Sequence, residues 1–123
     1  MLSPDLKLIQ HQLEQENLQL ELSIVVYLQQ SPNSQDQLLL NKLRSVPTAL
    51  WPEQLGSCYP AYLFDSKHRL EQLQAALSQL KLGTYGICAD CEAEIEAELL
   101  QQDLAAQRCR ACEKKAQARQ PEP

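Results

Sequence analysis

The chain has 123 residues, 44% of them hydrophobic, which suits one small domain or two sub-modules sharing a modest core and excludes wholesale disorder. Aromatic residues make up 5% and there are only 3 glycines, a composition that argues against a sandwich or barrel and for helices. Lys and Arg number 11 against 16 Asp and Glu, so the net charge is −5, the wrong sign for a chain that works by neutralising phosphates.

The opening MLSPDLKLIQ has neither the basic start nor the continuous apolar stretch of a secretion signal. No later run approaches the ~18–20 apolar residues of a membrane span. A cytoplasmic location without a membrane partner is expected. Ser3 and Pro4 read as N-cap and first position of a helix. Leu6, Ile9, Leu13, Leu20, Ile24 and Tyr27 then form a heptad-like seam, with Glu16 as a polar step in it. A second stripe of Leu8, Leu18, Leu22 and Val25 predicts that this helix also packs against a third element. Ser31-Pro32 ends it.

Ser34-x-x-Gln37 predicts a capping box ahead of a short second helix carrying Leu38, Leu39, Leu40 and Leu43, closed by Val46-Pro47. From Thr48 to Tyr59 the prolines and Gly56 predict an irregular connector with room for one turn of helix. Trp51, Tyr59, Tyr62 and Phe64 are expected to form the core that closes the bend. Cys58 reads as a small buried or half-buried thiol. A third long helix starts at Pro60 or Asp65 and runs to Leu82, with a seam of Leu63, Leu70, Leu73, Leu77 and Leu80 and Gly83 as its C-terminal cap. Two matched seams joined by a long connector make an antiparallel, coiled-coil-like helical hairpin. The same residues also suit an ordinary bundle. His11 and His68 fall on these helices with no ligand-spaced partner and read as solvated.

Beyond Gly83 the texture changes, which divides the chain into a helical region, 1–82, and a C-terminal module, 83–123. Cys88-x-x-Cys91 and Cys109-x-x-Cys112 are identical pairs separated by 17 residues. Four thiolates at this spacing supply the tetrahedral shell of one zinc ion. A redox CxxC would want a single pair in a βαβ setting, and a disulfide framework is opposed by the odd total of 5 cysteines and by a reducing compartment. With all four ligands committed the zinc is structural and activates no water. Arg108, Arg110, Lys114 and Lys115 flank the second pair and are placed to offset its negative charge, while Asp90, Glu92, Glu94, Glu96 and Glu98 stand nearby and argue against a nucleic-acid patch. Ile95, Leu99, Leu100 and Leu104 should face inward near the metal. No nucleophile–base–acid set, phosphate loop or open metal site can be assembled, so an enzyme is not expected.

The stretch LKLGTYGICADCEAEI, followed by Cys109 and Cys112, resembles the DksA/TraR family of four-cysteine zinc fingers over about Asp65 to Ala118. That resemblance implies a helical hairpin leading into the finger and a regulator of transcription that binds bacterial RNA polymerase directly, inserting the hairpin tip into the secondary channel, in DksA together with ppGpp. No direct sequence-specific DNA binding is expected. A different reading is a zinc-stabilised adaptor for another protein. Three departures from the family stand out. Glu92 occupies a position that is commonly Gly. The R-L-x-A-x-P run is replaced by Leu99-Leu100-Gln101-Gln102-Asp103-Leu104, which predicts a longer, regular helix between the pairs. The acidic D-x-x-D-x-A tip signature is absent, the connector offering only Asp36 and Glu53, with Asp65 at the start of the returning helix.

Overall fold

A run of 25 residues without Gly or Pro, Leu6–Gln30, forms helix α1 in a computed structural model that describes residues 6–55 and 61–119. It is followed by α2 (Ser34–Arg44), a 3₁₀ turn (Thr48–Leu50), α3 (Trp51–Leu55), α4 (Ala61–Leu82), α5 (Ala97–Gln102) and α6 (Arg110–Arg119). The fold is all-α. Among the described residues there is no strand, only an isolated antiparallel bridge between Ile87 and Glu94. No described helix is long and apolar enough to cross a membrane. The expected Ser3–Pro4 helix start, Cys58 and Tyr59 lie outside the described residues.

The described residues fall into two compact units, 6–13 with 75–119 and 14–55 with 61–74. Within the second, Glu16 of α1 pairs with Arg69 of α4, while Ile24 and Leu28 further along α1 share a cluster with Leu63 nearer the start of α4. These stretches therefore run antiparallel, as the matched seams predict.

In the unit of residues 14–74, Ile24 and Leu28 of α1 share a buried cluster with Leu40 and Leu43 of α2, Trp51 and Leu55 of α3, and Leu63 and Leu70 of α4. Fully burying a leucine contributes about 1.5–3 kcal/mol, so this cluster is the main stabilising element of the unit. On the surface beside it Arg69 donates to both carboxylate oxygens of Glu16, at 2.7 and 3.0 Å. Glu16 is thus an exposed ion-pair partner and not the polar step inside the seam. That step is Asn17, half-buried, whose amide donates to Glu21 at 2.9 Å. The seam's end also shifts: Leu28, fully buried, takes the place expected of Tyr27, which packs at the cluster's edge. Leu6 is exposed.

The second stripe on α1 corrects a further expectation. Leu8, Leu18 and Leu22 are exposed, and only Val25 of that set packs against the core. The third element does exist, but α2 and α3 meet the Ile24–Leu28 side of α1.

Helix α2 is capped one residue earlier than the Ser34 box predicts. The Asn33 side chain accepts from the Gln35 N–H at 2.8 Å, while Gln37 reaches back to donate to the carbonyls of Leu28 and Ser31. Asn competes well for this role because its short carbonyl reaches the free N–H groups of the first turn. Residues 48–55 of the connector form a 3₁₀ turn and a short helix. Pro52 sits in the first turn of α3, where a missing N–H costs nothing, and buried Trp51 donates its indole N–H to the Leu43 carbonyl at 3.0 Å. Phe64 does not join that core. It is exposed and stands edge-on to His68, with ring centroids 4.5 Å apart.

On α4, Leu63, Leu70 and Leu73 are buried as expected, whereas Leu77 and Leu80 are only partly so. The buried face is completed by Ser66 and Ala76, small residues that a leucine count passes over.

Candidate metal centre

The end of α4 is built to stop. Gly83 adopts φ +79°, and the Thr84 N–H bonds back to the Gln79 carbonyl at 2.9 Å, the six-to-one closure of a left-handed helix cap. The Ile87 N–H then closes a turn on Thr84 O, and Ile95 N–H bonds to Gly86 O at 2.8 Å, so the chain doubles back over the first cysteine pair. Within that pair the Cys88 N–H donates to Ala93 O at 2.7 Å and the Glu92 N–H to Cys88 O at 3.0 Å. This tight loop places Glu92 at φ +64°, in the left-handed region. Glycine enters this backbone conformation freely, and the chain adopts it with a glutamate.

The second pair approaches from the other side. Ala89 N–H bonds to Gln107 O at 2.8 Å, the Tyr85 hydroxyl donates to Leu104 O at 2.7 Å, and Glu113 N–H closes on Cys109 O at 2.9 Å. The Glu96 carboxylate accepts the Arg110 N–H at the start of α6, 2.9 Å away, and this bond holds its carboxyl below the ordinary range. Arg108 crosses between the pairs to Asp90 at 2.8 Å and also approaches Glu113. Arg110 pairs with Glu98. The two arginines named from the sequence therefore meet acids of the same module. Lys114 and Lys115 are exposed on α6. Surface pairs of this kind contribute about 0–1 kcal/mol each, so their effect is alignment more than stability.

Together these bonds bring the sulfurs of Cys88, Cys91, Cys109 and Cys112 within 4.8 Å of one another, with Cys91 and Cys109 at 3.7 Å. A tetrahedral zinc with bonds of about 2.3 Å places neighbouring sulfurs about 3.8 Å apart. The sulfurs are thus positioned to bind a metal ion, and their spacing is consistent with zinc. It is too long for a disulfide, whose bond is about 2.05 Å. Ile95 is buried against the cluster, with Leu99 and Leu100 packed beside it, as their sequence positions predict.

Electrostatics point the same way. Burial works against an ionised Cys88, yet backbone N–H groups of Cys109, Cys91 and Asp90 directed at it prevail and bring its thiol down to about 6. The neighbouring Cys109 thiol and burial push Cys112 up to about 12. Four sulfurs so close cannot all ionise unaided, and a divalent cation supplies the missing charge.

The longer, regular helix expected between the pairs is not formed: α5 is six residues, and Asp103 is extended at φ −152°. At about 1.5 Å per residue, an unbroken helix across the spacer would hold the two cysteine pairs roughly 25 Å apart. Closing the sulfur cluster overrides helix propensity. Asp103 ends the helix by accepting the Ala105 N–H on its side chain at 2.9 Å. That local competition by Asp is the one available sequence signal for the break.

Comparison with protein-family models, curated proteins and solved structures finds no match to this chain.

Proposed function

We propose that the protein is a zinc-stabilised helical regulator of the DksA/TraR type, acting by binding RNA polymerase through recognition and not through catalysis. The observation that carries this reading is the closed four-sulfur cluster attached through Gly83 to one helix of an antiparallel pair, with a left-handed backbone at Glu92. Cys88, Cys91, Cys109 and Cys112 would hold one zinc ion, whose contribution is to fix the fold of residues 84–113. Four protein ligands leave no position for water, so its role is structural.

A second reading has its own support. Between α1 and α4 the chain places α2, the 3₁₀ turn and α3, whose leucines and Trp51 enter the core. Of the connector acids, Asp36 is buried and accepts the Ser31 hydroxyl at 2.6 Å. That arrangement suits an adaptor for a different protein better than an acidic probe. Titrating labelled, zinc-loaded chain with core RNA polymerase separates the two. Saturable binding lost on competition with a secondary-channel ligand supports the regulator, and no binding by the loaded chain supports the adaptor.

A further inference from the structure

The two Cys-x-x-Cys hooks are tied to each other by a matched pair of bonds. In each hook, the N–H of the residue directly after the first cysteine is taken by the segment that carries the other hook. The Ala89 N–H donates to the Gln107 carbonyl at 2.8 Å, and the Arg110 N–H donates to the Glu96 carboxylate at 2.9 Å. The first tie runs from main chain to main chain and draws on no side chain. The second depends on a single side chain, that of Glu96.

Glu96 is held for this task by its own surroundings. Just before it, Ile95 is buried against the cysteines and its N–H bonds to Gly86 O at 2.8 Å, so the backbone here is fixed to the first hook. Just after it α5 begins, and Glu96 occupies the N-cap position of that helix. Its carboxylate makes no cap bond there. Capping is done by short side chains such as Ser, Thr, Asp and Asn, and a glutamate is not among them. The carboxylate reaches instead across 14 residues of sequence, to a peptide between Cys109 and Cys112.

That bond also governs a neighbouring group. The Cys109 N–H, one peptide earlier, is directed at the Cys88 sulfur. The orientation of this short stretch therefore sets a hydrogen bond to one sulfur as well as the positions of two others. Contacts of this kind, one step out from the ligands, orient them and tune how tightly the metal is held. A carboxylate acceptor makes such a tie roughly twice as strong as a neutral one. The Arg110 guanidinium pairs separately with Glu98 at 3.2 Å, a surface contact that restrains the side chain and not the peptide.

We propose that Glu96 is a positioning residue of the metal centre, its carboxylate holding the Arg110 peptide so that the second cysteine hook meets the first. The assignment rests on the reading of the four sulfurs as a metal site and is independent of the partner the protein binds. Two measurements on the full chain test it: competition for zinc against a chromophoric chelator, and the absorption spectrum of the cobalt(II)-loaded chain, whose ligand-field bands report the geometry of the sulfurs. Glu96→Ala is expected to weaken zinc binding about 10–100-fold, the usual cost of losing such an outer contact, and to shift the cobalt bands. Glu96→Gln keeps an oxygen that accepts the same N–H and should restore the wild-type spectrum and most of the affinity. Glu98→Ala removes an equal charge nearby and should leave both readouts as in wild type, which separates the bond from local electrostatics. A wild-type chain that binds neither metal overturns the metal-site reading and this assignment together. If the wild type binds, a Glu96→Ala variant that matches it in affinity or in cobalt spectrum, or a Glu96→Gln variant as impaired as Glu96→Ala, overturns the assignment alone.

Discussion

Glu92 holds a backbone conformation that glycine enters freely and that costs other residues about 1–2 kcal/mol. Part of that cost returns when the side chain is removed. Glu92→Gly is expected to stabilise the zinc-loaded chain by about 1 kcal/mol, read as a shift in urea midpoint at constant slope. Glu21 presents the opposite case, a side chain at odds with its surroundings. Burial raises its carboxyl above the ordinary range, against the opposing hydrogen bonds from Asn17 and Thr48. The native state therefore holds the proton more readily than the unfolded chain does. Its contribution to stability is complete at pH below the unfolded value and is lost as pH rises through the native one. Glu21→Gln should accordingly be at least as stable as wild type at neutral pH, and that advantage should vanish in acid. Urea titrations at the two pH values measure it.

Elements follow the sequence wherever burial is settled by neighbours along one helix. Leu13, Ile24, Leu63, Leu70 and Leu73 are buried where their spacing places them. The same reasoning misplaces residues whose environment depends on another segment. Glu16 reads as a polar core step until Arg69, 53 residues away, draws it to the surface. Ser66 and Ala76 are buried although neither is large enough to register in an apolar pattern. The length of α5 is set by the need to close the sulfur cluster, which no local propensity encodes. The four cysteines, by contrast, are legible from spacing alone, because two turns of identical type must serve a single centre. Helix α3, hidden among prolines, depends on Trp51, whose indole N–H satisfies the Leu43 carbonyl near the end of α2. Trp51→Phe keeps most of the apolar contact and removes the donor. It should cost about 1–3 kcal/mol in chemical denaturation, against about 3–5 kcal/mol for Trp51→Ala.

For the molecule as a whole, the two compact units depend on different forces. The cluster from Ile24 to Leu70 contains no sulfur, whereas the packing around Ile95, Leu99 and Leu100 is built on cysteines. Metal removal from the full chain is therefore expected to affect them unequally. With a strong chelator, amide exchange protection should be lost in residues 84–113 and largely retained in residues 14–74. Ligation also displaces protons, since Cys112 lies far above neutrality and Cys88 near it. Zinc affinity should fall as pH is lowered from about 8 to about 6, measured by competition with a chromophoric chelator.

Three of the four clustered cysteines are shielded, but Cys91 faces solvent. A coordination shell filled on every corner at equilibrium can still be entered from its one open edge. An incoming chelator would reach Cys91 before the three shielded sulfurs. Exchange of the ion should then accelerate with the concentration of a small chelator and slow markedly for a bulky one, so that this corner sets how quickly the protein trades metal with its surroundings while the affinity stays the same.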